Sequence, residues 1–176
     1  MPIYTKSGDA GETGLYGGKH VRKSSEVVKV LGELDELNAF LGLTRLHLKR
    51  VDSKKISQIQ RDLFIIGSVV AGAKFDNKTK SYLEGQISLM EEDIDSYNIK
   101  LPLLRSFILP NGCESSAKLH LARAICRRCE RSFVSLGKHI DLVPYINRLS
   151  DYLFILARYE NRRCGVKEET VNSNPR

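Results

Sequence analysis

Residues 115–136 read SSAKLHLARAICRRCERSFVSL. At about 100° per residue, Leu119, Ala122, Cys126, Cys129 and Phe133 fall within one arc of roughly 80°. The spacing predicts an amphipathic helix with a buried stripe. Both cysteines lie inside that stripe, so Cys126-x-x-Cys129 reads as small core side chains. A zinc or redox reading, with Cys113 and His120 as companions, lacks the second Cys-x-x-Cys of the usual four-ligand set. Beside the stripe, Arg123, Arg127 and Glu130 lie within about 60° of one another, with His120 and Arg131 at the edge and Arg128 toward solvent. Arginines flanking a buried face need a carboxylate or a phosphate. A salt bridge within the bundle and an anion site both meet that need.

Helical periodicity extends outward from this segment. Residues 25–48 carry Val27, Val30, Leu34, Leu37 and Leu41, with Ser24 or Ser25 as N-cap. Residues 53–75 and 79–97 give two more helices, a fourth follows Pro110-Asn111-Gly112, and a fifth begins near Val143-Pro144. Strand character is confined to residues 106–109, because Pro110 disfavours helix in the residue before it. The expected fold is all-α, a five-helix up-and-down bundle in one domain. Its parts are an N-terminal arm (1–24), the bundle (25–166) and a flexible tail (167–176).

Two further helical stretches carry polar residues on faces otherwise apolar. In YINRLSDYLFILARYEN (145–161), Asn147, Asp151 and Arg158 share a face, and Asn147 is either a donor to an anion or base or a capping group. In GELDELNAFLG (32–42), Asp35 and Asn38 lie near Gly32, Ala39 and Gly42, small residues that let another backbone approach. Asp35 is a candidate partner for Arg123, within the chain or across a subunit interface.

The arm, YTKSGDAGETGLYGGK (4–19), is not a Walker loop, since Lys19 is followed by His20 and no strand precedes it. Its glycines let backbone N–H groups turn toward an anion, and Thr5, Lys6, Thr13 and Lys19 add donors. A flexible polar arm is the alternative. The net charge of +7 on 176 residues admits nucleic acid, an anionic membrane or a small polyanion. The basic residues, RLHLKR (45–50) among them, are scattered rather than gathered on one recognition helix, which argues against nucleic acid. Nothing at the N-terminus resembles a signal peptide, and the longest uncharged apolar run (63–73) is too short to span a bilayer. A cytoplasmic protein without nucleic-acid or membrane partners is expected.

Four blocks, in order, resemble the ATP:cob(I)alamin adenosyltransferases of the PduO type: YTKSGDAGETGLYGG (4–18), GELDELNAFLG (32–42), FILPNGCESSAKLHLARAICRRCER (107–131) and YINRLSDYLFILAR (145–158). The resemblance implies a homotrimer with ATP between subunits, the arm wrapping the triphosphate. It assigns Thr5, Lys6, Gly8, Asp9, Gly11, Thr13 and Lys23 to the nucleotide site from one subunit, and Arg127, Glu130 and Asn147 from its neighbour. Arg127, Phe107, Asp35 and Arg123 would be the catalytic set: Arg127 on the phosphates, Asp35 paired with Arg123 across the interface, Phe107 against the corrin ring. ATP and cob(I)alamin would be substrates and Mg²⁺ a cofactor, with a flavin-type reductase as partner. Two departures from the family pattern are Asn111 in Leu-Pro-Asn-Gly, expected to tolerate positive φ, and Cys129, a modest enlargement on the core stripe.

Overall fold

The structure, a computed structural model, describes residues 4, 6 and 8–171. After a short hairpin of β1 (Glu12–Gly14) and β2 (His20–Arg22), five helices follow: α1 (Glu26–Thr44), α2 (Arg50–Val70), α3 (Asn77–Asn98), α4 (Glu114–Leu136) and α5 (Val143–Arg163). Helix α3 starts where Asp76 accepts the Thr79 backbone N–H at 2.8 Å, a side-chain cap for an otherwise orphaned donor. Helix α4 ends at Gly137, which takes the left-handed conformation, and α5 opens with Pro144 in its first turn, where a missing N–H costs nothing.

Direction alternates along the bundle. Asn38 of α1 bonds Gln60 of α2, Lys55 of α2 pairs with Asp93 of α3, and Glu36 of α1 pairs with Arg128 of α4. Cys126 of α4 donates its thiol proton to the Ile146 carbonyl of α5 at 3.2 Å. Helices α3 and α5 run parallel, with Arg148 early in α5 on Glu91 past the middle of α3, and the Tyr97 and Tyr159 rings 4.6 Å apart further along both. The core is the apolar stripe of each helix: Leu37 and Leu41, Ile56 and Ile66, Leu119 and Phe133, Leu149 and Leu153 are all buried. Each such side chain contributes about 1.5–3 kcal/mol.

One buried carboxylate in this core is fully engaged, whereas Tyr152 Oη and both His120 ring nitrogens are buried without a hydrogen-bond partner among the described residues. Asp62, 1% exposed, accepts from Tyr145 Oη at 2.8 Å, Tyr82 Oη at 2.7 Å and Gln58 Nε2 at 3.0 Å, tying α2 to α3 and α5. Burial, reinforced by this carboxylate, pushes the Tyr82 phenol up to about 12, so it remains a donor.

Several boundaries differ from the sequence expectation. Helix α1 starts after Ser25 as expected, but the Ser25 side chain makes no capping bond. Helix α2 starts at Arg50 and stops at Val70 rather than near residue 75, because the chain turns at Gly72, against which the Tyr16 carbonyl of the arm is packed. The arm itself contains a hairpin, paired Glu12 to Arg22, Thr13 to Val21 and Gly14 to His20, where no strand was expected. Residues 167–171, the start of the tail, pair with residues 107–109: Ile108 and Thr170 form an antiparallel bridge. The remainder of the tail lies outside the described residues.

The cysteine stripe is as the periodicity predicted, with Cys126 and Cys129 fully buried. Burial pushes both thiols up, that of Cys129 to about 12. Alkylation of the native protein at pH 8, followed by mass spectrometry, is therefore expected to label the exposed Cys164 and spare Cys126 and Cys129 until denaturant is added. Early labelling of either stripe cysteine would contradict its burial.

Candidate functional site

The arm residues converge on one another. The Lys23 backbone N–H donates to the Gly11 carbonyl at 2.8 Å, closing the loop that precedes β1. The Lys23 side chain then lies over Gly8: a Cβ built there would meet Nζ at 3.1 Å. A glycine at this position thus keeps an ammonium group close above the backbone. Inside the loop, Asp9 N–H donates to the Lys6 carbonyl and Gly11 N–H to the Gly8 carbonyl, both at 3.2 Å. Thr13 is on β1, half-buried, opposite Val21. Lys6, Gly8, Asp9, Gly11 and Lys23 therefore form one compact, lysine-bearing turn. Thr5 lies outside the described residues.

The hairpin packs at the end of the bundle where α1 begins and α2 and α4 finish. Leu15, Tyr16 and Val21 line a cavity of about 360 Å³ with Val27, Val70 and Leu136. Toward the same end, Asn147 donates through Nδ2 to Glu130 Oε1 at 2.8 Å, joining the second turn of α5 to the last half of α4. Asn147 is thus a tertiary link rather than the helix cap that was its alternative. One turn before Glu130, Arg127 is exposed, and its carbonyl accepts Arg131 Nη1 at 3.0 Å. Among the described residues its guanidinium meets no carboxylate within ion-pair distance, so the salt bridge to Glu130 considered from the sequence is absent there. Asp151, expected on the Asn147 face, accepts from Arg148 instead, at 2.7 Å.

Arg123 and Asp35 do not meet within one chain. Arg123 places its guanidinium carbon 5.7 Å from the Phe154 ring centroid, and its Nε is buried without a hydrogen-bond partner among the described residues. His120 faces the same ring edge-on at 6.0 Å. Burial, with the Arg123 charge adding to it, holds this imidazole below its ordinary pKa, so it stays neutral. Asp35 is exposed in a groove of about 320 Å³ between α1 and α2, beside Leu31, Phe64 and Gly67. Phe64 is itself 72% exposed.

Phe107 belongs to the opposite end of the bundle. It lies in the connection between α3 and α4, is 86% exposed, and its carbonyl accepts the Val171 N–H at 2.8 Å. The following turn is clamped by Asn161 of α5, whose Oδ1 accepts Cys113 N–H and whose Nδ2 donates to the Asn111 carbonyl, both at 3.0 Å. Asn111 does not take positive φ; that conformation falls to Gly112, φ 122°, and the Asn111 side chain donates to Glu169 at 3.0 Å. Neither Asn161 nor Glu169 carried a signal in the sequence, since each acts through a contact far along the chain.

This architecture has solved counterparts. A variant PduO-type ATP:corrinoid adenosyltransferase from Lactobacillus reuteri, complexed with cobalamin and ATP, superposes with a TM-score of 0.90 at 34% identity, covering 99% of this chain and 98% of that one. The Cobalamin adenosyltransferase family profile matches residues 3–160. The corrinoid adenosyltransferase of Bacillus subtilis is 40% identical over 94% of this chain and 90% of its own length, and the cobalamin adenosyltransferase of Cupriavidus metallidurans 39% identical over 93% and 90%. The chain belongs to the cobalamin adenosyltransferase family. Among the described residues no helix is long and apolar enough to cross a membrane.

Proposed function

We propose that this chain transfers the 5′-deoxyadenosyl group of ATP to the Co(I) centre of a reduced corrinoid, releasing triphosphate, and that it does so as a homotrimer in the cytoplasm. The observation that carries the reading is the Asn147–Glu130 link beside the exposed Arg127, on the same end of the bundle as the Lys23–Gly8 loop. Lys6, Lys23 and the backbone around Gly8 and Gly11 would hold the triphosphate, with Asp9 and Thr13 shaping the loop and Thr5 preceding it. Arg127 of a neighbouring subunit would meet the phosphates, and Glu130 and Asn147 the nucleoside.

The case for contributions from two subunits is geometric. Phe107 precedes the start of α4, whereas the arm packs near Leu136 at its end. A helix of this length extends about 35 Å at 1.5 Å per residue, so one copy separates the two groups that a shared site would need. The buried, unpartnered Arg123 Nε and the exposed Asp35 fit a pairing across that interface. Asp35→Asn is expected to weaken trimerisation or ATP binding by about tenfold, the scale of one charge-assisted hydrogen bond. Light scattering and ATP titration would check this, and unchanged behaviour in both would sink the pairing.

Chemically, cobalt supplies an electron pair to C5′ of ATP, the Co–C bond forms, and the C5′–O bond breaks with its electrons leaving on triphosphate. No protein nucleophile is required. The chain aligns the two substrates and stabilises the leaving charge with ammonium, guanidinium and N–H donors. Mg²⁺ would arrive with the nucleotide, held by phosphate and water oxygens, and offset part of that charge. Phe107, an exposed aromatic, would keep water and ligands from the lower face of cobalt. This favours four-coordinate Co(II), which a flavin-type reductase reduces to Co(I).

Chemically reduced cob(I)alamin mixed anaerobically with the protein and MgATP tests this reading. Enzyme-dependent loss of the Co(I) absorption with formation of a photolabile product is expected. Saturable ATP binding without turnover would favour a nucleotide-sensing bundle instead.

A further inference from the structure

The chain leaves α5 through a Schellman turn. Val166 N–H donates to the Asn161 carbonyl at 2.9 Å and Gly165 N–H to the Arg162 carbonyl at 3.1 Å, with Gly165 in the left-handed region at φ 70°. The reversal sends residues 167–171 back along the bundle end, where they pair with the connection that carries Phe107. Leu109 N–H donates to the Glu169 carbonyl and Val171 N–H to the Phe107 carbonyl, each at 2.8 Å. Side chains alternate along such a ribbon. Ser106 and Ile108 accordingly line a cavity of about 540 Å³, and Phe107 points away from it into solvent.

A two-stranded ribbon of this length is not stable alone in water. Its anchor is an ion pair. Arg158, 3% exposed, donates from Nε to Glu168 Oε1 at 2.8 Å and from Nη2 to Glu168 Oε2 at 3.0 Å. The same Nη2 donates to the Pro102 carbonyl at 2.9 Å. One guanidinium in the wall of α5 therefore holds both strands: residue 168 through its carboxylate, and the Phe107 segment through its upstream backbone. The Asn111–Glu169 contact is a second tie, but an exposed one.

We infer that Glu168, acting through Arg158, is a positioning residue for the corrinoid step, setting where the Phe107 backbone, and hence its ring, stands. The inference rests on the role proposed above for Phe107. Breaking the pair frees the ribbon without touching the arm, Arg127, Glu130 or Asn147. The ATP site stays intact while the ring that excludes the lower axial ligand wanders. A misplacement near 1 Å costs up to about a hundredfold in rate.

The experiment uses the full chain in three variants: Glu168→Gln, which removes the charge; Val171→Pro, which removes the N–H donated to Phe107 and fixes the local backbone in an extended form; and Phe107→Ala. Steady-state kinetics at varied ATP and the electron paramagnetic resonance signal of four-coordinate Co(II) in the presence of MgATP are the readouts. Glu168→Gln and Val171→Pro are expected to lower kcat and the four-coordinate signal together by about tenfold, with KM for ATP changed less than about twofold. Wild-type values in both, beside a crippled Phe107→Ala, would overturn the positioning role while leaving the Phe107 reading in place. Wild-type behaviour of Phe107→Ala would remove that reading and the inference with it. A parallel rise in KM for ATP would mark general destabilisation and also count against the inference.

Discussion

Arg127→Ala is expected to lower adenosyl transfer by about 10²–10³-fold, the usual cost of removing one preorganised donor from a leaving charge. It should leave the folded bundle almost untouched. The physical basis is an asymmetry visible in the structure. The Arg127 side chain is exposed, has no carboxylate partner among the described residues, and contributes only its backbone carbonyl to a local bond with Arg131. Removing such a group shifts stability by no more than about 0.5 kcal/mol. Arg128, its sequence neighbour, pairs with Glu36 on α1 and offers a control: Arg128→Ala breaks an exposed ion pair worth at most about 1 kcal/mol and should retain turnover. Arg127→Lys keeps the charge but loses the planar fork, and should fall between alanine and wild type. Single-turnover rates with saturating MgATP and cob(I)alamin, beside thermal melts of each variant, separate these outcomes. Arg127→Ala with wild-type turnover would end its assignment to the phosphates.

Periodicity made the bundle legible, and the residues it misplaced share a cause. Leu119, Ala122, Cys126, Cys129 and Phe133 are all buried as their spacing required, because a stripe recurring every three or four residues has only one stable use. The partner that the sequence offered Glu130 was Arg127, whereas the structure pairs Glu130 with Asn147, a residue of another helix. The hairpin of β1 and β2 was not legible, since three-residue strands are too short to display alternation and their pairing follows from turn geometry. The pairing of the tail was not legible for a similar reason. Residues 167–171 are four polar residues and a valine without a pattern, and their contacts are with Arg158 in the preceding helix and with Asn111 and the Phe107 segment, both distant in sequence. Asn111 shows the limit of reading a motif by substitution: its tolerance of positive φ is unused, and its amide makes a contact that glycine could not. Asp35 and Arg123 were matched within the chain or across a subunit interface, and within one chain they stay apart.

Gly112→Ala is expected to destabilise the protein by about 3 kcal/mol, combining backbone strain of 1–3 kcal/mol with hydrogen bonds disrupted at 1–3 kcal/mol. For a chain of this size that lowers Tm by roughly 6–12 °C. Gly112 has φ 122°, where an L side chain is strained, and a Cβ there would lie 1.9 Å from Asn161 Oδ1 and 2.5 Å from its Cγ and Nδ2. Relief by moving Asn161 is blocked. That side chain is 1% exposed, and its amide already holds the Cys113 N–H and the Asn111 carbonyl. The clash and the clamp are thus one feature, and a double-mutant cycle can tell the clash from the strain. Asn161→Ala removes both bonds and opens the space that the new methyl group needs. On that background Gly112→Ala should cost only its strain, about 1–3 kcal/mol, so the two changes should be clearly less than additive. Full additivity would mean that the left-handed backbone, not Asn161, requires the glycine. Because this turn joins the Phe107 segment to the start of α4, the Gly112→Ala protein should also lose corrinoid-dependent turnover at temperatures where it remains folded, and a wild-type rate there would show that the turn serves the fold alone.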